Sequence, residues 1–119
     1  MAKKGIRNYR LYIEDILECI IKITVYINTK SFGKFSKDDK TIDAVVRNFE
    51  IIGEAARQLS QDIKNRYPDV SWQDMIDFRN IIIHEYFGIS LKIMWDIIKN
   101  ELPPLEQKIR KILKNLPAR

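Results

Sequence analysis

Residues 9–27 read YRLYIEDILECIIKITVYI. Tyr9, Tyr12, Ile13, Ile16, Leu17, Ile20, Ile23, Thr24 and Ile27 recur there at steps of three and four, the spacing that gathers apolar side chains on one face of a helix. The same period returns in Ile42, Val45, Val46, Phe49, Ile52, Ala56 and Leu59, and within it Gly53, Ala55 and Ala56 are small enough to let a neighbouring helix come close. Residues 28–37, with Ser31, Gly33 and Ser36, break the two apart, and Ser36 followed by Asp39 resembles a capping box opening the second helix. Tyr67-Pro68-Asp69 ends this region after a short turn at 62–66. Ser71 with Asp74 repeats the capping signal and opens a helix over 72–86, with Gly88 where a C-terminal glycine belongs. Ser90 caps a helix over 91–100, and Pro103-Pro104 starts another over 105–116, where missing N–H groups cost nothing. The expectation is an all-α antiparallel bundle of four main helices plus short ones, one domain spanning residues 1–119, with no internal repeat.

Composition narrows the chemistry. With 45% hydrophobic and 31% charged residues, a packed domain is expected rather than a disordered one. One cysteine, Cys19, excludes an internal disulfide and a Cys-rich metal site, and fits a reducing compartment. One histidine, His84, excludes a multi-imidazole metal site within one subunit. Glu14, Asp15 and Glu18 interrupt what would be a signal peptide's apolar stretch, and no apolar run nears the roughly 18 residues a membrane span needs, so a cytoplasmic protein is expected. The net charge of +5 sits at the ends: Lys3, Lys4, Arg7 and Arg10 face no acid in residues 1–10, and residues 99–119 carry six bases against Glu101 and Glu106. Basic ends suit a polyanion, although solvated tails would read the same.

The segment Asp77-Phe78-Arg79-Asn80-Ile81-Ile82-Ile83-His84-Glu85-Tyr86-Phe87-Gly88 carries the chemistry. On a helix at about 100° per residue, Trp72, Met75, Ile76, Ile82, Ile83 and Tyr86 cluster around Arg79, with Phe78 and Ile81 widening the apolar arc. Asn80, His84, Asp77 and Gln73 form a narrow polar strip. Arg79 thus rises from an apolar face, where a guanidinium needs a partner. Glu50 or Glu54 of the second long helix, an anionic ligand such as phosphate, or a groove against a second copy of the chain would each serve. The pattern alone favours an ion pair with Glu54.

Arg79-x4-His84-x-Tyr86 resembles the signature of the HEPN superfamily, in its HepT-like toxin branch. Glu14-Asp15-Ile16-Leu17, Ile51-Ile52-Gly53-Glu54-Ala55-Ala56, Trp72, and Asp96 with Leu102-Pro103 and Leu105 agree with it in order along nearly the whole chain. The resemblance implies a homodimeric, metal-independent endoribonuclease that needs no cofactor and acts as the toxin of a toxin–antitoxin pair. Its implied partner is a nucleotidyltransferase antitoxin of the MNT type, which transfers AMP to the signature tyrosine, here Tyr86.

The residues support such chemistry on their own terms. RNA is cleaved without metal when a base removes the 2′-OH proton and a cation takes up the charge building on the phosphate. Imidazole is the side-chain type that titrates near neutrality, which makes His84 the candidate base, and Arg79 offers a planar fork to phosphate oxygens. Asn80 lies one turn before His84 and would hold the imidazole or a phosphate or ribose oxygen, unless it is simply a solvated amide. One subunit cannot supply two histidines, so either His84 works with Arg79 and water, or two copies pool their residues at a two-fold axis. Tyr86 lies about 200° from His84 on a continuing helix, so the helix should loosen near 85–87 if both reach one cleft. Two rivals share these features: a non-catalytic nucleotide- or substrate-binding subunit of a nucleotidyltransferase complex, and a purely structural dimerisation domain.

Overall fold

A computed structural model describes residues 2–85 and 88–116, the side chains of residues 2–8 excepted. Every element in it is a helix: α1 (Ala2–Ile27), α2 (Phe32–Phe35), α3 (Asp39–Gln58), α4 (Gln61–Arg66), α5 (Trp72–His84), α6 (Leu91–Asn100) and α7 (Leu102–Asn115). The four long helices are α1, α3, α5 and α7, with α6 shorter and α2 and α4 single turns inserted in the connections. The apolar stripes lie where the periodicity places them. Ile13, Ile16, Ile20 and Ile23 of α1 are fully buried and meet Val45, Phe49, Ile52 and Ala56 of α3 in one core. Burying a side chain of this size contributes roughly 1.5–3 kcal/mol, so the α1–α3 pair is the stable spine of the molecule. α7 closes over α1 with Ile109 and Ile112, α6 leans on α7, and α5 packs on α3.

Local chemistry explains the joints. α1 ends where Thr29 takes a left-handed conformation (φ 69°), an uncommon state for a β-branched residue. Ser31 caps α2, accepting from Lys34 N at 3.1 Å, and α2 seats Phe35 and Phe32 on Trp95 with ring centroids 5.2 and 6.1 Å apart. Trp95 is therefore a core residue. Cys19 is packed as a small hydrophobe, and burial is the main reason its thiol is pushed up to about 11.

Four local expectations are corrected. The cap of α3 is Asp38, not Ser36: its carboxylate accepts from Thr41 N at 3.2 Å and Thr41 Oγ1 at 2.7 Å, while the Ser36 hydroxyl turns back to Gly33 O. Ser71 sits at the N-cap of α5 but makes no capping bond with its side chain. α5 stops at His84, with Glu85 N donating to Ile81 O at 2.8 Å, so Gly88 stands too far along the chain to be the residue that ends it. The last helix also starts earlier than expected, at Leu102, with Pro103 and Pro104 in its first turn. None of the helices is long and apolar enough to cross a membrane among the described residues.

Candidate active site

The position of Arg79 follows from a missing side chain. A Cβ added at Gly53 would overlap the Arg79 Cβ and lie 2.8 Å from both Arg79 Cγ and the Met75 carbonyl oxygen. α3 and α5 therefore cross at near backbone contact, and only a residue without a side chain fits at Gly53. The small residues of α3 have this meaning: they bring the root of Arg79 against the turn that carries Glu54.

From that root the guanidinium leaves the apolar face. Its side chain is 25% exposed, and Nη2 meets Glu54 Oε1 at 3.2 Å, the partner that the helix pattern favours. Nη1 donates to Asn80 Oδ1 at 3.0 Å, so Asn80 steadies the arginine rather than the imidazole. Glu54 is a hub. Arg57 donates to it through Nε at 3.4 Å and Nη2 at 3.2 Å, and Gln58 Nε2 donates at 2.9 Å. Those bonds, the Gln58 one first, hold the Glu54 carboxyl below the usual carboxylate range against a smaller opposing effect of burial. With Glu54 itself 41% exposed, the ion pair is solvated and worth little to stability.

Arg79, Glu54, Arg57 and Gln58 line a cleft of about 460 Å³ between α1, α3 and α5, together with Tyr12, Asp15, Arg47, Glu50 and Ile83, and Asn80 stands outside that lining. Burial, then the charges of Glu18 and Glu14, push the Asp15 carboxyl up. His84 is not among the lining residues. It ends α5 and is exposed, and five residues at about 100° each put it about 140° around the axis from Arg79. The structure thus brings Arg79, Asn80 and Glu54 together and leaves His84 on another side of the same helix. Tyr86 lies outside the described residues.

Two features escaped the sequence reading. Arg57 and Gln58 join the site through their i+3 and i+4 spacing from Glu54, a signal present in α3 but meaningless until α5 is laid across it. On the other side of α5, facing α6 and α7, lies an apolar groove of about 690 Å³ walled by Phe78, Ile81, Ile89, Ile93, Ile97 and Leu105. Ile81 and Ile83, placed in the apolar arc by the helix pattern, are 45% and 46% exposed.

Known proteins resemble this chain over most of its length. The family model described as "Ribonuclease HepT-like" matches residues 16–112. A Methanocaldococcus jannaschii protein named "Putative RNase MJ0127" is 41% identical over 116 residues, covering 98% of this chain and 93% of its own. A Thermococcus cleftensis protein named "Probable ribonuclease HepT" is 37% identical over 108 residues, covering 91% and 98%. A third, from Caldanaerobacter subterraneus subsp. tengcongensis and named "Putative RNase TTE0752", is 36% identical over 104 residues, covering 87% and 93%. No solved structure gives a significant match. A match over most of the chain, joined to these identities, leaves one assignment: the chain belongs to the HepT-like ribonuclease family.

Proposed function

We propose that the protein is the toxin of a toxin–antitoxin pair, an endoribonuclease that cleaves RNA without a metal at a site shared between two subunits. The supporting observation is the solvated guanidinium of Arg79, anchored at the Gly53 crossing and opening into a polar cleft. Its exposed ion pair can be exchanged for an RNA phosphate at little cost.

In this reading His84 takes the proton from a ribose 2′-OH. The 2′-oxygen attacks the adjacent phosphorus, the bond to the 5′-oxygen breaks, and a second His84 or a water returns a proton to the leaving oxygen. A 2′,3′-cyclic phosphate and a 5′-OH result. Arg79 stabilises the charge on the phosphate oxygens as it grows. Asn80 holds Arg79 in aim.

The angle between Arg79 and His84 argues for a homodimer. Side chains about 140° apart on one helix do not converge on one phosphate, whereas a two-fold axis beside α5 would set Arg79 of one protomer near the imidazole of the other. Ile83, exposed on the wall of the cleft, gives that seam apolar surface. Mixing subunits carrying Arg79→Ala with subunits carrying His84→Ala tests this. Each variant alone should be inactive and the mixture should recover part of the cleavage. Full cleavage by either homodimer, or no recovery on mixing, removes the shared site.

Control would come from an MNT-type nucleotidyltransferase that adds AMP to Tyr86, two residues beyond His84. The adduct would place a bulky anion where the arginine awaits phosphate. Mass spectrometry after incubation with that partner and ATP should find the modification on Tyr86, and an unmodified peptide would end this part of the reading.

A further inference from the structure

Two guanidiniums, not one, converge on the Glu54 carboxylate. Arg79 reaches Oε1 from α5, while Arg57 straddles both oxygens from α3, Nε to Oε1 and Nη2 to Oε2. That is the fork geometry by which arginine takes a carboxylate or a phosphate, both of which offer a pair of anionic oxygens. One carboxylate is thus shared by two guanidiniums, with Asp15, Glu50 and Arg47 the other charged side chains on the cleft lining. Water reaches all three side chains, which are 54% exposed at Arg57, 25% at Arg79 and 41% at Glu54. Along α3, Glu50 stands a turn before Glu54 and Arg57 a turn after it, so this wall of the cleft is acidic at one end and cationic at the other.

We propose that Arg57 is a second phosphate-binding residue, and that the Glu54 carboxylate occupies the place of an RNA phosphodiester until one arrives. The proposal rests on the reading that this cleft takes RNA. On binding, the phosphodiester receives the forks of Arg57 and Arg79, and Glu54 keeps Gln58, its shortest contact at 2.9 Å. Glu54 is then a positioning residue: it keeps two flexible cations converged in the empty site, and it also competes with the incoming strand.

The test measures binding of a short single-stranded 2′-O-methyl RNA, which lacks the attacking hydroxyl and is not cut, by fluorescence anisotropy in EDTA over a salt series. Arg57→Ala should bind about fivefold more weakly, and its log–log salt slope should fall by about 0.7, the share of one phosphate contact on a single strand. Arg57→Lys should restore the slope but not the full affinity, because an ammonium keeps the charge and loses the fork. Glu54→Gln, which removes the competing charge and keeps the shape, should bind several-fold more tightly. Thermal melts confirm that each variant is folded. The proposal is overturned if Arg57→Ala keeps the wild-type slope, if Glu54→Gln binds more weakly than wild type, or if the wild-type protein does not bind the probe. A protein that behaves as expected here yet leaves unmodified RNA intact would count against the nuclease reading and not against this one.

Discussion

The two sides of α5 are built on different terms. Toward α3 the helix lies at near backbone contact, with Gly53 under Arg79 and a polar cleft at the crossing. Toward α6 and α7 it stands off, leaving an apolar groove in which Ile81 and Ile93 remain 45% and 59% exposed. The Arg79 guanidinium belongs to the tight side. Its aim is set by main chain that cannot repack, whereas a residue on the loose side would depend on whatever side chains happen to fill the space.

This contrast can be broken most forcefully at adjacent residues of α5. Ile82 is 1% exposed, and Ile82→Ala should cost about 3 kcal/mol through lost burial and the cavity left behind. Its neighbour Ile81 faces the groove, and Ile81→Ala should stay within about 0.5 kcal/mol. Urea unfolding of the two variants reads the difference, and equal losses would mean the groove is a packed interior. Gly53→Ala is next in size and opposes two effects. Helix propensity alone would make it stabilising by about 1 kcal/mol. Overpacking against Arg79 Cβ and the Met75 carbonyl should win and leave a net loss of about 2 kcal/mol. A stabilised Gly53→Ala protein would show that the crossing is looser than described.

The caps beside the groove give a smaller effect. Ser90 accepts from Ile93 N at 3.2 Å, so Ser90→Ala should cost about 1 kcal/mol, while Ser71→Ala, with no capping bond to lose, should cost a few tenths at most. Smallest in energy is the titration of Glu54. Its carboxyl is held low by Gln58 and Arg57, so whatever the network contributes is present above the ordinary carboxylate pKa and is lost as pH falls through the lowered value. Carboxyl NMR should find Glu54 titrating below an ordinary glutamate and moving back up in Arg57→Ala.

Much of this architecture is legible in the sequence because helical periodicity reports directly on which face is buried. Ile13, Ile16 and Ile20 on α1, with Val45, Phe49 and Ile52 on α3, lie in the core as their spacing requires. The Arg79–Glu54 pair was legible too, since a cation on an apolar face limits its possible partners. Caps were less so: Ser36-x-x-Asp39 fits the capping pattern, yet Asp38 captures both donors of Thr41 and moves the start of α3. The exposure of Ile81 and Ile83 was not legible, because a single helix pattern cannot tell whether a neighbour arrives to cover an apolar position. Arg57 was missed for a similar reason. Its fork becomes part of a site only once α5 crosses α3 beside it.

If Arg79 and His84 together cut RNA, the purified protein incubated with end-labelled total RNA in EDTA will reveal it. Wild type should cleave, and His84→Ala and Arg79→Ala should each lower the rate by about 10²-fold or more while melting at the wild-type temperature. A folded His84→Ala protein that cleaves as fast as wild type would contradict the account.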